Sequence, residues 1–233
     1  MKVIKRFFTG VSVACVSLVS VGAASAATIT GVTGSGTTGS QMNGMEVTVN
    51  FQGGTSSTAI FNATAPNAGA AATGGWSLTQ SGFSTFVYPW TFSNNTNSVI
   101  SSLFINAITG KTVFDIFSSS PSTPGSDDGN PFTYQSGVNP SSFQYGNLVN
   151  VIGSAPVGDL YGDLTLSWRS GFASGSSLRF LADTDNAIAV TDPTNNARPV
   201  PVPGFVVGIV LAAGFFSSKE INKRKTKLQE TEV

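Results

Sequence analysis

Between Leu160 and Trp168, the apolar residues Leu160, Leu164, Leu166 and Trp168, together with Gly162, take every second position. Tyr161, Asp163, Thr165 and Ser167 take the others. A strand turns successive side chains to opposite faces, so this spacing sends one face to a core and the other to water. A helix cannot use the pattern, because a 3.6-residue period would scatter the large apolar groups around its axis. The same alternation recurs at Val47, Val49 and Phe51 against Glu46, Thr48 and Asn50. It continues at Leu178, Phe180 and Ala182 after a turn from Gly171 to Ser177. No window of the body carries a helical apolar stripe.

Composition agrees. From Ala27 onward the chain is rich in Gly, Ser, Thr, Asn and Ala and poor in the strong helix formers, while Thr, Val, Ile and Phe are plentiful. Buried strands are predicted over Val99 to Ile108 and Val113 to Phe117, joined as a hairpin through Thr109, Gly110 and Lys111. Further strands are expected at Thr58 to Asn62, Trp76 to Thr79, Thr85 to Tyr88 and Leu148 to Ile152. About nine or ten short strands punctuated by Gly and Asn predict an all-β fold, an antiparallel β-sandwich or jelly roll. Ser118 to Ser142, rich in Ser, Pro, Gly and Asp, is expected to be a long exposed loop.

Charge and residue inventory exclude much. Histidine is absent from the chain, which removes Ser-His-Asp and Cys-His nucleophile systems and histidine-ligated metals. The single cysteine is Cys15, so a body beginning after residue 26 has neither thiol nor disulfide and folds on packing alone. Between Ala27 and Gly204 the bases are Lys111, Arg169, Arg179 and Arg198, against nine acids from Glu46 to Asp192. An acidic, Lys-poor body offers no phosphate-binding surface, so nucleic acid is excluded as a partner.

The two ends give an address. Lys2, Lys5 and Arg6, an apolar run from Phe7 to Val21, and Ala24-Ser25-Ala26 have the three parts of a secretory signal, cleaved between Ala26 and Ala27. Segment 1–26 is read as signal peptide and 27–191 as the β-domain. Residues 192–204, with alternating prolines, form an extended spacer. The apolar segment 205–218 is transmembrane-like but short. Its run from Phe205 to Phe216 spans roughly 18 Å as a helix, against a bilayer core of about 30 Å. Residues 219–233 form a basic tail expected to stay in the cytoplasm.

Pro201-Val202-Pro203-Gly204, the apolar run after it and the cluster Lys219, Lys223, Arg224, Lys225 and Lys227 together resemble the PEP-CTERM sorting signals of bacterial surface proteins. The likeness is to a cyanobacterial-like variant with Pro-Val-Pro-Gly in place of Pro-Glu-Pro, and the tail runs on past the basic cluster to Val233. The resemblance implies transit through the secretion translocon, cutting by signal peptidase, and processing by an exosortase-like protease. It implies a cell-surface or extracellular location after initial anchorage in the inner membrane. It says nothing about what the body does.

Site chemistry in the body is sparse. Asp115, Asp159 and Asp163 are candidates for a carboxylate acid–base pair, but alternation puts Asp159 and Asp163 on turn and solvent-facing positions. Asp183 and Asp185, and also Asp127 and Asp128, resemble fragments of calcium loops that gather oxygen ligands at alternate positions. In the aromatic stretch Ser81 to Phe92, Tyr88 and Trp90 are candidates for stacking on a sugar ring. The expectation is therefore an exported, non-catalytic structural or adhesive protein with no required cofactor, associated with exopolysaccharide or the cell envelope. A carbohydrate-binding β-sandwich module is the alternative, and a carboxylate-type glycan-active enzyme the third reading.

Overall fold

A computed structural model describes residues 27–34, 36–117, 121–126 and 129–191. The signal segment with Ala24 and Ala26, the acids Asp127 and Asp128, the spacer, the motif Pro201 to Gly204, the apolar segment and the basic tail all lie outside the described residues. Among the described residues no helix is long and apolar enough to cross a membrane.

The chain is all-β. One sheet contains β1 (Ala27–Thr33), β2 (Glu46–Phe51), β3 (Ser56–Ile60), β8 (Ile100–Asn106), β9 (Thr112–Asp115), β11 (Ser142–Val151), β12 (Leu160–Phe172) and β14 (Thr184–Thr191). The other contains β4 (Asn62–Ala65), β5 (Ala68–Thr73), β6 (Trp76–Ser81), β7 (Trp90–Asn94), β10 (Thr133–Gly137) and β13 (Ser176–Leu181). Their inner faces share a core of Val47, Val49, Leu103, Ile105, Leu164 and Leu166 against Trp76, Leu78, Trp90, Phe92, Leu178 and Phe180. Phe92 packs between Phe172 and Trp168, with ring centroids 5.0 and 5.9 Å away. The alternation of Leu160 to Trp168 is realised as read: those residues and Gly162 are buried, and the intervening four are half-buried.

Closure at one end of the first sheet was not foreseen. Its strand order is β11-β1-β14-β9-β12-β8-β2-β3, and β11 also pairs with β12. Five strands therefore form a ring, a small barrel with its own core of Ala27, Ile29, Val32, Ile108, Val113, Val149, Leu160 and Ala187. Closing the sheet removes edges that would otherwise expose unpaired backbone. The β1–β11 pair is parallel, Ala27 opposite Val149, so the fold is not wholly antiparallel. Where β12 enters the barrel, a Cβ on Gly162 would come within 2.7 Å of both Asn147 Nδ2 and Ile108 Cγ1. Only glycine fits that crossing.

Three strand expectations are corrected. The hairpin through Gly110 does not form: β8 and β9 both lie along β12, Asn106 opposite Asp163 and Phe114 opposite Tyr161, separated by a 3-10 turn at Ile108–Gly110. They are successive parts of one interrupted edge, and the interruption lets β9 peel away to join β14 in the barrel. Thr58 to Asn62 is two strands, because buried Phe61 carries the chain from one sheet to the other. Thr85 to Tyr88 is a turn. Ser84 Oγ accepts the Phe86 N–H at 3.2 Å, and Ser84 O accepts the Tyr88 N–H at 3.0 Å, a local bonding pattern that competes with a ladder.

Candidate functional site

Two features of the domain have chemistry beyond packing. The first is a buried group of carboxylates where β9, β14 and the 121–126 segment meet. Asp115 ends β9, and its N–H donates to Asp183 O at 3.2 Å; Asp185 pairs with Val113 across the β9–β14 ladder. Asp115, Asp183 and Asp185 are all buried, as is Asp159 just before β12. Asp159 is the clearest correction: instead of a solvent-facing turn position it receives the Thr123 N–H and hydroxyl, both at 2.6 Å. Asp163 is half-buried on the outer face of β12, apart from this group. The expected exposed loop over 118–142 is corrected in part as well. Thr123 and Ser126 are buried against the aspartates, and Thr133 to Gly137 form β10.

Ser126 Oγ lies 2.5 Å from Asp115 Oδ2 and 2.6 Å from Asp185 Oδ2. A hydroxyl has one hydrogen to give, so the second short contact is a hydrogen bond only if that carboxyl is the donor. Asp183 is held separately: the Thr85 hydroxyl donates to its Oδ1 at 2.7 Å, and Thr85 Oγ1 accepts the Thr184 N–H at 2.9 Å. Burial pushes the Asp183 carboxyl up to about 7; the Thr85 bond opposes this, and the charges of Asp185 and Asp115 add to it. Tyr145, whose Oη accepts the Phe132 N–H at 2.8 Å, is raised too, chiefly by burial and further by Asp183 and Asp115.

The calcium candidates Asp183 and Asp185 thus sit inside the fold among hydroxyls, not on an open loop. Among the described residues no group of three or more acidic side chains is arranged to hold a metal. The polar cluster acts as a clasp, pinning the 121–126 segment to the barrel mouth through Ser126 and Thr123. Sequence reading named its carboxylates but missed Ser126, Thr123 and Thr85, whose partners are 11 to 98 positions away.

The second feature is aromatic and exposed. Trp90 is not part of it, which corrects its assignment to sugar contact. Its ring is 0% exposed, its indole N–H donates to Ala182 O at 2.9 Å, and it stacks on Phe180. Tyr88 is 41% exposed and meets Phe83 edge to face at 6.2 Å. Phe83 beside it is 69% exposed, and further exposed rings line the seam where the chain crosses from β10 in one sheet to β11 in the other. Tyr134 and Phe143 are 41% and 48% exposed there, beside an open groove of ≈ 580 Å³. Phe132 forms its inner wall, 4.8 Å from Phe143 between ring centroids. Asn130 Nδ2 donates to Phe86 O at 3.2 Å, tying the Phe83–Tyr88 turn to the approach of β10.

Comparison of the chain with protein-family models, with curated proteins and with solved structures returned no match.

Proposed function

We propose that this is an exported, surface-displayed and non-catalytic β-domain, an adhesive or structural protein carried outward on its proline spacer. The observation that supports this reading most is that the first and last strands of the described residues lie side by side. The Ala27 N–H in β1 lies 3.3 Å from Asn147 Oδ1 in β11. Thr28 pairs with Thr191 at the end of β14 in an antiparallel ladder. Residues 28 and 191 thus stand at the same end of two paired strands, and one spacer following residue 191 would tether the domain there.

The carboxylates suit this reading better than a glycosidase. Asp115, Asp159, Asp183 and Asp185 are buried among hydroxyls, whereas acid–base pairs of that kind flank an accessible bond. Calcium at Asp183 and Asp185 would be an addition to this function and not a requirement of it. The sorting reading makes its own prediction. A chain ending at Val200, lacking the Pro201 to Gly204 motif and everything after it, is expected to be released from the envelope into the soluble exported fraction. Immunoblotting of cell fractions checks this, and an unchanged distribution would contradict the role assigned to the C-terminal segment.

A further inference from the structure

We infer that the seam between β10 and β11 is a binding groove for a neutral polysaccharide chain, with Tyr134 and Phe143 as the stacking rings. The groove is built and held. The Val138 N–H donates to Ser177 O in one sheet at 2.9 Å, and the Ser141 N–H donates to Ser167 O in the other at 2.7 Å. The Trp168 indole N–H donates to Val138 O at 3.2 Å, which fixes the crossing loop from below. The Tyr134 hydroxyl is bonded to Gly137 O at 2.8 Å, so that ring is fixed before any ligand arrives. Rings fixed in advance give contact area at little entropic cost.

Occupant chemistry follows from the lining. Beside the rings stand Thr133, Asn139, Ser141 and Ser142, which supply hydroxyl and amide groups, and no lining residue is charged. Aromatic faces meet the C–H faces of a sugar, and neutral donors and acceptors meet its hydroxyls. A phosphate or uronate chain would find no cation among the lining residues. The groove is open to solvent, which would leave a small ligand half-solvated and suits a chain that reaches beyond it. Rings left exposed in two tied segments also exceed the scattered single residues of an ordinary surface.

The inference deepens the display reading by naming a ligand, yet it is tested on purified protein and does not depend on how the chain is sorted. The full-length chain, purified from whichever cell fraction holds it, is run in native gels containing dextran, hydroxyethylcellulose or glucomannan, with alginate as the acidic probe. Retardation by at least one neutral polymer is expected. Tyr134→Ala with Phe143→Ala should weaken it about tenfold or more while the variant keeps the parent's far-UV circular dichroism. Phe83→Ala, on the separate turn, serves as the control and should retain most of the retardation. No retardation in any neutral gel, retention in alginate alone, or equal retardation of the double variant would overturn the inference. Capture of a protein partner through the same rings, without glycan retention, would overturn it too.

Discussion

Trp90→Ala is expected to destabilise the domain by about 3–5 kcal/mol, enough to unfold much of a marginally stable population. The ring is fully buried between the sheets, stacked on Phe180 with centroids 6.2 Å apart and meeting Phe61 edge-on at 5.7 Å. Its removal opens a cavity lined by large rings that cannot all collapse into it. It also strands the carbonyl of Ala182, which now accepts the indole N–H. Trp90→Phe keeps most of the volume and loses only the hydrogen bond and part of the stack, so it should cost less than half as much. Urea denaturation of the three proteins checks the order. A near-neutral Trp90→Ala would mean that the ring lies outside the core.

The second large effect is on pH dependence. Asp183 in the folded protein titrates near 7 against an ordinary 3.8, so between those values the native state holds a proton that the unfolded chain has lost. Stability from this group is complete below the lower value, falls as pH climbs through the window, and levels off above about 7. One proton gives a slope of at most about 1.4 kcal/mol per pH unit. Asp183→Asn mimics the protonated carboxyl and can still accept the Thr85 hydroxyl. Its Tm should match the wild type near pH 4 and exceed it by roughly 9–18 °C at pH 8. Parallel curves at all pH values would refute a buried neutral Asp183. Millimolar calcium should leave both curves unchanged. A rise in the wild type that the variant lacks would make Asp183 a ligand instead.

Fold class was legible because alternation is a local signal. Leu160 to Trp168 and Val47 to Phe51 needed only their own spacing. The barrel was not legible: its closure rests on a parallel pairing between Ala27 and Val149 and on the break between β8 and β9. No spacing rule reports which of two neighbours a strand will choose. Turn chemistry hid Thr85 to Tyr88, where an aromatic and β-branched run reads as strand until Ser84 captures its N–H groups. Trp90 was misjudged for a related reason. Exposure of an aromatic depends on which face its strand buries, and the start of β7 was not known. The carboxylate clasp was half visible, since Asp183 and Asp185 stood out by type. Their hydroxyl partners come from Thr85 and Ser126, and only the folded chain brings them together.

Intact-mass analysis of the protein recovered outside the cytoplasmic membrane tests the display account most directly. Polypeptide beginning at Ala27, the residue after the expected signal cleavage, is the predicted result. Polypeptide that retains Met1 and is confined to the cytosolic fraction would contradict it.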